Sequence, residues 1–141
     1  MNSRRWLLSL FLLLLVNPAW AAEIHIQVQG LRSADGDVRV TLFQAGNFLK
    51  FDKVFRRAKT LASGAPVELV LKDLPEGDYS FSIAHDENAN GELDKNFFGI
   101  PKEGVGVSNN AKGFLGPPSD AAATFSLRAE PVRQTILLSY F

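Results

Sequence analysis

Tyr79-Ser80-Phe81-Ser82-Ile83-Ala84 is the run on which the fold reading turns. Tyr79, Phe81 and Ile83 alternate with small residues, and a period of two describes a strand with one buried face. Leu74-Pro75-Glu76-Gly77 ahead of it has turn chemistry: proline presets its φ and glycine accepts a positive one. His85 continues the parity of the inward face. The strand then delivers into Asp86-Glu87-Asn88-Ala89-Asn90-Gly91-Glu92-Leu93-Asp94.

Working outward, the same alternation recurs. Ile24, Ile26 and Val28 share one face, and Val38, Val40 and Leu42 another, with Asp35-Gly36 marking a turn between the two runs. These runs read as a hairpin or as neighbouring strands. Val67, Leu69 and Leu71 make a further strand, and 122–127 and 132–140 two more. Gln44 to Thr60 is less regular and carries Phe48, Phe51 and Phe55 among Lys50, Lys53, Arg56, Arg57 and Lys59. It reads as an irregular connection that tucks its phenylalanines onto the sandwich, since long basic side chains commonly flank buried aromatics. The functional alternative is a basic-aromatic surface for an anionic partner.

Residues 95–120 hold five glycines and three prolines without a sustained period. Long structureless loops are uncommon in compact domains, so an ordered loop is expected, with a short strand near Gly104 to Ser108. Phe97, Phe98 and Phe114 are expected to pin this loop to the core, the alternative being exposed aromatics that line a ligand groove. About seven short strands, with no long amphipathic helix, make the expected fold all-β: a single antiparallel β-sandwich with one long Gly/Pro/Asn-rich loop.

The N-terminus reads as a targeting segment. Arg4 and Arg5 precede the apolar run Trp6 to Val16, Pro18 breaks it, and Ala19-Trp20-Ala21 suits a signal peptidase. Cleavage after Ala21 is expected, which leaves residues 22–141 as one domain of a size that supports its own core. The alternative is an uncleaved anchor, for which the apolar run is short. Loss of Arg4 and Arg5 leaves 13 basic against 15 acidic residues, a net charge of −2 derived from the 15 and 15 of the whole chain. No strongly basic balance points to nucleic acid. The chain has no cysteine, so disulfides, thiolate zinc sites, thiol catalysis and a lipid-anchored lipoprotein are excluded.

The acidic loop carries the most chemistry. Calcium takes six to eight oxygens in a flexible arrangement. Asp86, Asn88, Asn90 and Asp94 stand at positions one, three, five and nine of a calcium-type loop. The Glu92 carbonyl is at seven and Gly91 at the sharp turn. Position twelve, where such a loop needs a bidentate glutamate, is Phe97. An ion would need an outside ligand from Glu87, Glu103, Asp120 or water, and Glu103 is the first choice. The metal-free alternative is a loop closed by Asn and Asp bonding to their own backbone. His25 is expected on the surface. His85 beside Asp86 has no motif-placed nucleophile, and Gly-x-Ser-x-Gly is absent because Asn110 stands where its second glycine belongs. Its expected role is packing. No phosphate-cradling glycine motif is present.

Two blocks carry a resemblance. They are His85 through Asp94, and Phe98-Gly99-Ile100-Pro101-Lys102-Glu103-Gly104-Val105-Gly106-Val107-Ser108-Asn109-Asn110, followed by Gly116-Pro117-Pro118. Together with the Leu74 to Tyr79 turn they resemble the bacterial secreted family known as domain of unknown function 2141. The resemblance implies a small immunoglobulin-like or transthyretin-like β-sandwich behind a signal peptide, and it implies no activity. The resulting expectation is an exported, non-catalytic domain, periplasmic or extracellular, with no membrane span after cleavage. Its partner would be a cell-envelope glycan, a peptide or another envelope protein, engaged by a two-loop site with calcium at Asp86, Asn88, Asn90, Glu92, Asp94 and Glu103. The alternatives are a hydrolase using Asp86, His85 or Glu103, and a structural domain that needs no ion.

Overall fold

A computed structural model describes residues 21–63 and 66–141. The expected targeting run before Ala21 lies outside the described residues. Eight strands form among them, with hardly any helix: β1 (Ala22–Gln29), β2 (Asp37–Gln44), β3 (Arg56–Leu61), β4 (Val67–Leu74), β5 (Gly77–Asp86), β6 (Gly104–Val107), β7 (Phe125–Leu127) and β8 (Val132–Leu137). They make two sheets. One has the order β4-β1-β8, and the other β3-β2-β5-β6, with β7 also on β5. β6 pairs with Ser82–His85 and β7 with Gly77–Tyr79, so the two share one edge of β5 end to end.

The alternation read from sequence is the burial pattern. Ile24, Ile26 and Val28 from β1, Val38, Val40 and Leu42 from β2, Leu69 and Leu71 from β4, and Phe81 and Ile83 from β5 enter one core shared by both sheets. Each such side chain contributes roughly 1.5–3 kcal/mol on burial. The two sheets also touch at one margin, where an isolated bridge joins Val105 to Ser139.

Three sequence expectations need correction. β1 and β2 are not paired: β1 lies between β4, antiparallel, and β8, parallel, in one sheet, while β2 belongs to the other. Alternation reports which face is buried and carries no information about which strand lies alongside. The strand count rises to eight because Arg56–Leu61 is a strand. As an edge it pairs only with β2, and of its inward residues Ala58 alone packs on the main core, so its hydrophobic signal is minimal. As expected, the phenylalanines of 44–60 lie against the sheets: Phe48 packs with Phe43 and Ala123 in a cluster separate from the main core, while Phe51 and Phe55 contact Phe43 and Tyr79 and stay partly exposed. Residues 122–127 split into the end of a one-turn helix α1 (Asp120–Ala123), capped by the Ser119 hydroxyl, followed by β7.

Candidate functional site

Asp86 is the last residue of β5. Its side chain alternates against inward His85 and points to the outer face of the five-stranded sheet, yet it is only 1% exposed. Oδ1 accepts the Asn90 N–H at 3.1 Å, and Oδ2 accepts the Gly91 N–H at 2.8 Å. The Arg39 guanidinium, from the neighbouring β2, donates to Oδ2 at 3.3 Å. One carboxylate thus closes the turn onto the sheet. Gly91 has φ +84°, the left-handed conformation expected of it. Asn88 Oδ1 accepts the Asn90 N–H and Asn90 Oδ1 accepts the Glu92 N–H, two successive side-chain turns. The amide groups of Asn88 and Asn90 both donate to the Asp94 carboxylate, Asn88 at 2.7 Å.

Glu103, just before β6, completes the loop. It is 4% exposed. Oε1 accepts the Glu87 N–H and Oε2 the Asp94 N–H, each at 3.2 Å. Both ends of the acidic loop therefore hang on one side chain. Burial pushes the Glu103 carboxyl above its ordinary value, and the charges of Asp86 and Asp94 push the same way, against the two N–H donors.

A second set of contacts ties this loop to the far sheet. Glu87 pairs with Arg32 at 2.6 Å and accepts the Ser33 hydroxyl. The Arg32 hydrogen bond leads in holding the Glu87 carboxyl below its ordinary value. The Arg32 guanidinium lies 4.5 Å from the centre of the Tyr140 ring. Tyr140 OH accepts the Arg32 backbone N–H and lies 2.7 Å from His85 Nδ1. His85 Nε2 lies 2.8 Å from the Asp35 carbonyl, which can only accept. Nε2 therefore carries a proton and donates to that carbonyl. His85 is a buried joint between sheets, in line with the packing role expected from sequence. His25 sits half-buried on the outer side of β1, paired with Glu23 at 2.9 Å.

The structure brings together five of the six residues assigned to a metal: Asp86, Asn88, Asn90, Asp94 and Glu103. The Glu92 side chain is exposed to solvent, away from the other five. Asp120, named as an alternative ligand, accepts from Gly46 and Phe48 N–H near α1, at the other end of β2 and β5. A calcium ion needs oxygens converging with free lone pairs. Here the Asn88 and Asn90 amide groups face Asp94 with their nitrogens, and the Asp86 and Glu103 oxygens are turned to separate backbone N–H groups, with lone pairs left over. Among the described residues no three His, Asp or Glu side chains converge as a metal-ligating group. As arranged, these donors point to protein N–H groups and to one another and do not converge on a common centre.

Beyond the acidic loop the chain makes a small hairpin. Lys95 and Pro101 form its bridge, Asn96 N–H donates to the Ile100 carbonyl at 2.8 Å, and Asn96 Oδ1 accepts from Phe98 and Ile100 N–H. Phe97 is 97% exposed and Phe98 82%, their rings edge to face at 5.5 Å. Phe114 is likewise exposed. The expectation that these rings pin the loop is wrong: backbone and Asn96 hydrogen bonds order it, and the rings face water.

Residues 26–135 match the family described as an uncharacterized protein conserved in bacteria, DUF2141. The chain belongs to that family. No curated protein matches it. The match spans β1 to β8 and includes the acidic loop, the hairpin and Glu103. Among the described residues no helix is long and apolar enough to cross a membrane.

Three contributors were out of reach of sequence reading: Arg39, Arg32 and Tyr140. Arg39 meets Asp86 only because β2 and β5 pair in a register that sets Arg39 opposite Ala84. Arg32 and Tyr140 are 108 residues apart.

Proposed function

We propose that this DUF2141 member is an exported, non-catalytic binding domain of the cell envelope, an immunoglobulin-like or transthyretin-like β-sandwich after signal cleavage at Ala21. The observation that carries the reading is the Phe97–Phe98 pair, two aromatic side chains held in water on a hairpin whose base is fastened by Glu103. Exposed apolar groups on an ordered loop cost solubility and mark interaction sites. The carboxylates beneath, Asp86 and Glu103, fix the loop by accepting its backbone N–H groups and are almost fully buried. A hydrolase using them, or buried His85, would need an accessible acid and base, so the hydrolase alternative draws no support here. The loop is closed by protein donors, and calcium is no part of the reading.

The test is co-sedimentation of the protein with purified envelope fragments. The wild type is expected to pellet with them and a Phe97→Ser/Phe98→Ser variant to stay in solution with an unchanged melting temperature. Equal pelleting of both would overturn the hairpin as the binding element. The mass of the protein recovered from the exporting host tests cleavage after Ala21.

A further inference from the structure

The outer face of the five-stranded sheet holds a second constellation, which shares only Arg39 with the acidic loop. In the register of β2, β3 and β5, Arg57 stands opposite Thr41 and Thr41 opposite Ser82; one row along, Lys59 stands opposite Arg39. All five point away from the main core, because Ala58, Val40 and Ile83 point into it. Adjacent strands are about 4.8 Å apart and alternate residues about 7 Å, so three cations and two hydroxyls occupy a compact field. Phe51 bounds it. Its ring lies 5.7 Å from Phe43, which is on the same outer face, and it remains 58% exposed.

Charge is arranged in layers. Lys59 pairs with Asp37 at 2.8 Å and Arg39 with Asp86, and both carboxylates are buried while their cationic partners are more exposed. The anions lie beneath and hold the cations toward solvent. Among the described residues Arg57 makes no ion pair. The segment 44–61 carries five basic residues against one acid, in a chain with no net charge.

We infer that this face binds an acidic glycan, a saccharide chain bearing carboxylates. Arg57 and Lys59 would take the acid groups, the Thr41 and Ser82 hydroxyls would meet sugar hydroxyls, and Phe51 would pack against a ring. The face suits sugar over single-stranded nucleic acid, which needs several aromatic platforms for successive bases; this face offers one ring. It suits sugar over an extended acidic peptide because the Thr41 and Ser82 hydroxyls sit beside the cations on the flat of the sheet, where they can meet sugar hydroxyls. The site is separate from the Phe97–Phe98 hairpin.

Affinity electrophoresis of the full chain with polygalacturonate as probe, and dextran as the neutral control, tests it. The wild type should be retarded by polygalacturonate and not by dextran, with retardation weakening as salt rises. Arg57→Ser should lower affinity about tenfold, Arg57→Ser/Lys59→Ser further, and Phe51→Ala should weaken binding while leaving its salt dependence in place. Arg57→Ser breaks no ion pair, so its fold is expected to hold and its melting curve checks that. Phe97→Ser/Phe98→Ser should bind as the wild type does, which separates this site from the hairpin. No retardation of the wild type, equal retardation of the Arg57→Ser variant, or tighter binding of polyglutamate or oligo-dT than of polygalacturonate would overturn the assignment.

Discussion

Glu103 Oε2 accepts the backbone N–H of Asp94 from nine residues further along the chain, at 3.2 Å. Its other oxygen accepts the Glu87 N–H. A single buried carboxylate thus spans the mouth of the acidic loop, and the hairpin bearing Phe97 and Phe98 grows from the segment between. Together with buried Asp86, this side chain fastens the loop, while Glu92 is its one exposed acid.

Glu103→Ala is therefore expected to cost about 1–3 kcal/mol, the penalty of leaving poorly solvated N–H groups without an acceptor. Amide hydrogen exchange should accelerate at Glu87 and Asp94 first, ahead of the β5 core. A variant with wild-type melting and protected amides at both positions would show that Glu103 is not the latch.

Gly104 follows directly. A Cβ there would lie 2.5–2.7 Å from ring atoms and the hydroxyl of Tyr140. Gly104→Ala must displace that ring and with it the His85 contact, at a cost of about 1–3 kcal/mol for overpacking. Tyr140→Ala in the same chain should remove much of the added penalty, since the clash partner is gone. Strictly additive losses in a double-mutant melting series would mean that the ring is not what Gly104 accommodates.

The two loop carboxyls respond to pH with opposite sign. Glu103 is raised in the fold, first by burial, from a reference value of 4.5. Its protonation thus favours folding: the contribution is fully present below 4.5 and is lost as pH rises through the raised value. Glu87 is lowered, first by its Arg32 hydrogen bond, from 4.5. Its contribution is present above 4.5 and is lost as pH falls through the depressed value. Melting curves should show the wild type gaining on Glu103→Gln as pH falls toward 4.5, and its advantage over Glu87→Gln shrinking below 4.5. The reverse order would contradict both assignments.

Calcium separates the two readings of the acidic loop. With the Asp86 and Glu103 oxygens engaged by N–H donors, millimolar calcium and chelator should give the same melting temperature. A ligand that binds only the folded state must raise stability, by about 2.7 kcal/mol at a hundredfold excess over its Kd. A calcium-dependent rise that disappears in Asp86→Ala would establish an ion that rearranges these donors.

Much of this protein could be read directly. The strand around Phe81, the inward parity of His85, the turn at Gly91, the strand at Gly104–Val107 and the meeting of Glu103 with the acidic loop follow from period, turn chemistry and chain proximity. What escaped was of two kinds. β3 is an edge strand of basic residues, and pattern reading needs a buried face to see a strand. Phe97, Phe98 and Phe114 carry the composition of core residues, and composition does not tell which rings find room inside.

The alternation of apolar residues by itself determined an all-β chain and the inward set of each strand, because a pleated strand turns successive side chains to opposite faces whatever its neighbours. Only the tertiary structure decided that β1 lies between β4 and β8 and not beside β2, that Arg39 sits on Asp86, and that Tyr140 reaches His85. Those contacts depend on strand order and register. The oxygens spaced along Asp86 to Asp94 suggested an ion; their assignment to N–H donors was settled by where Glu103, Gly91 and Arg39 arrive in space, which no spacing along the chain encodes.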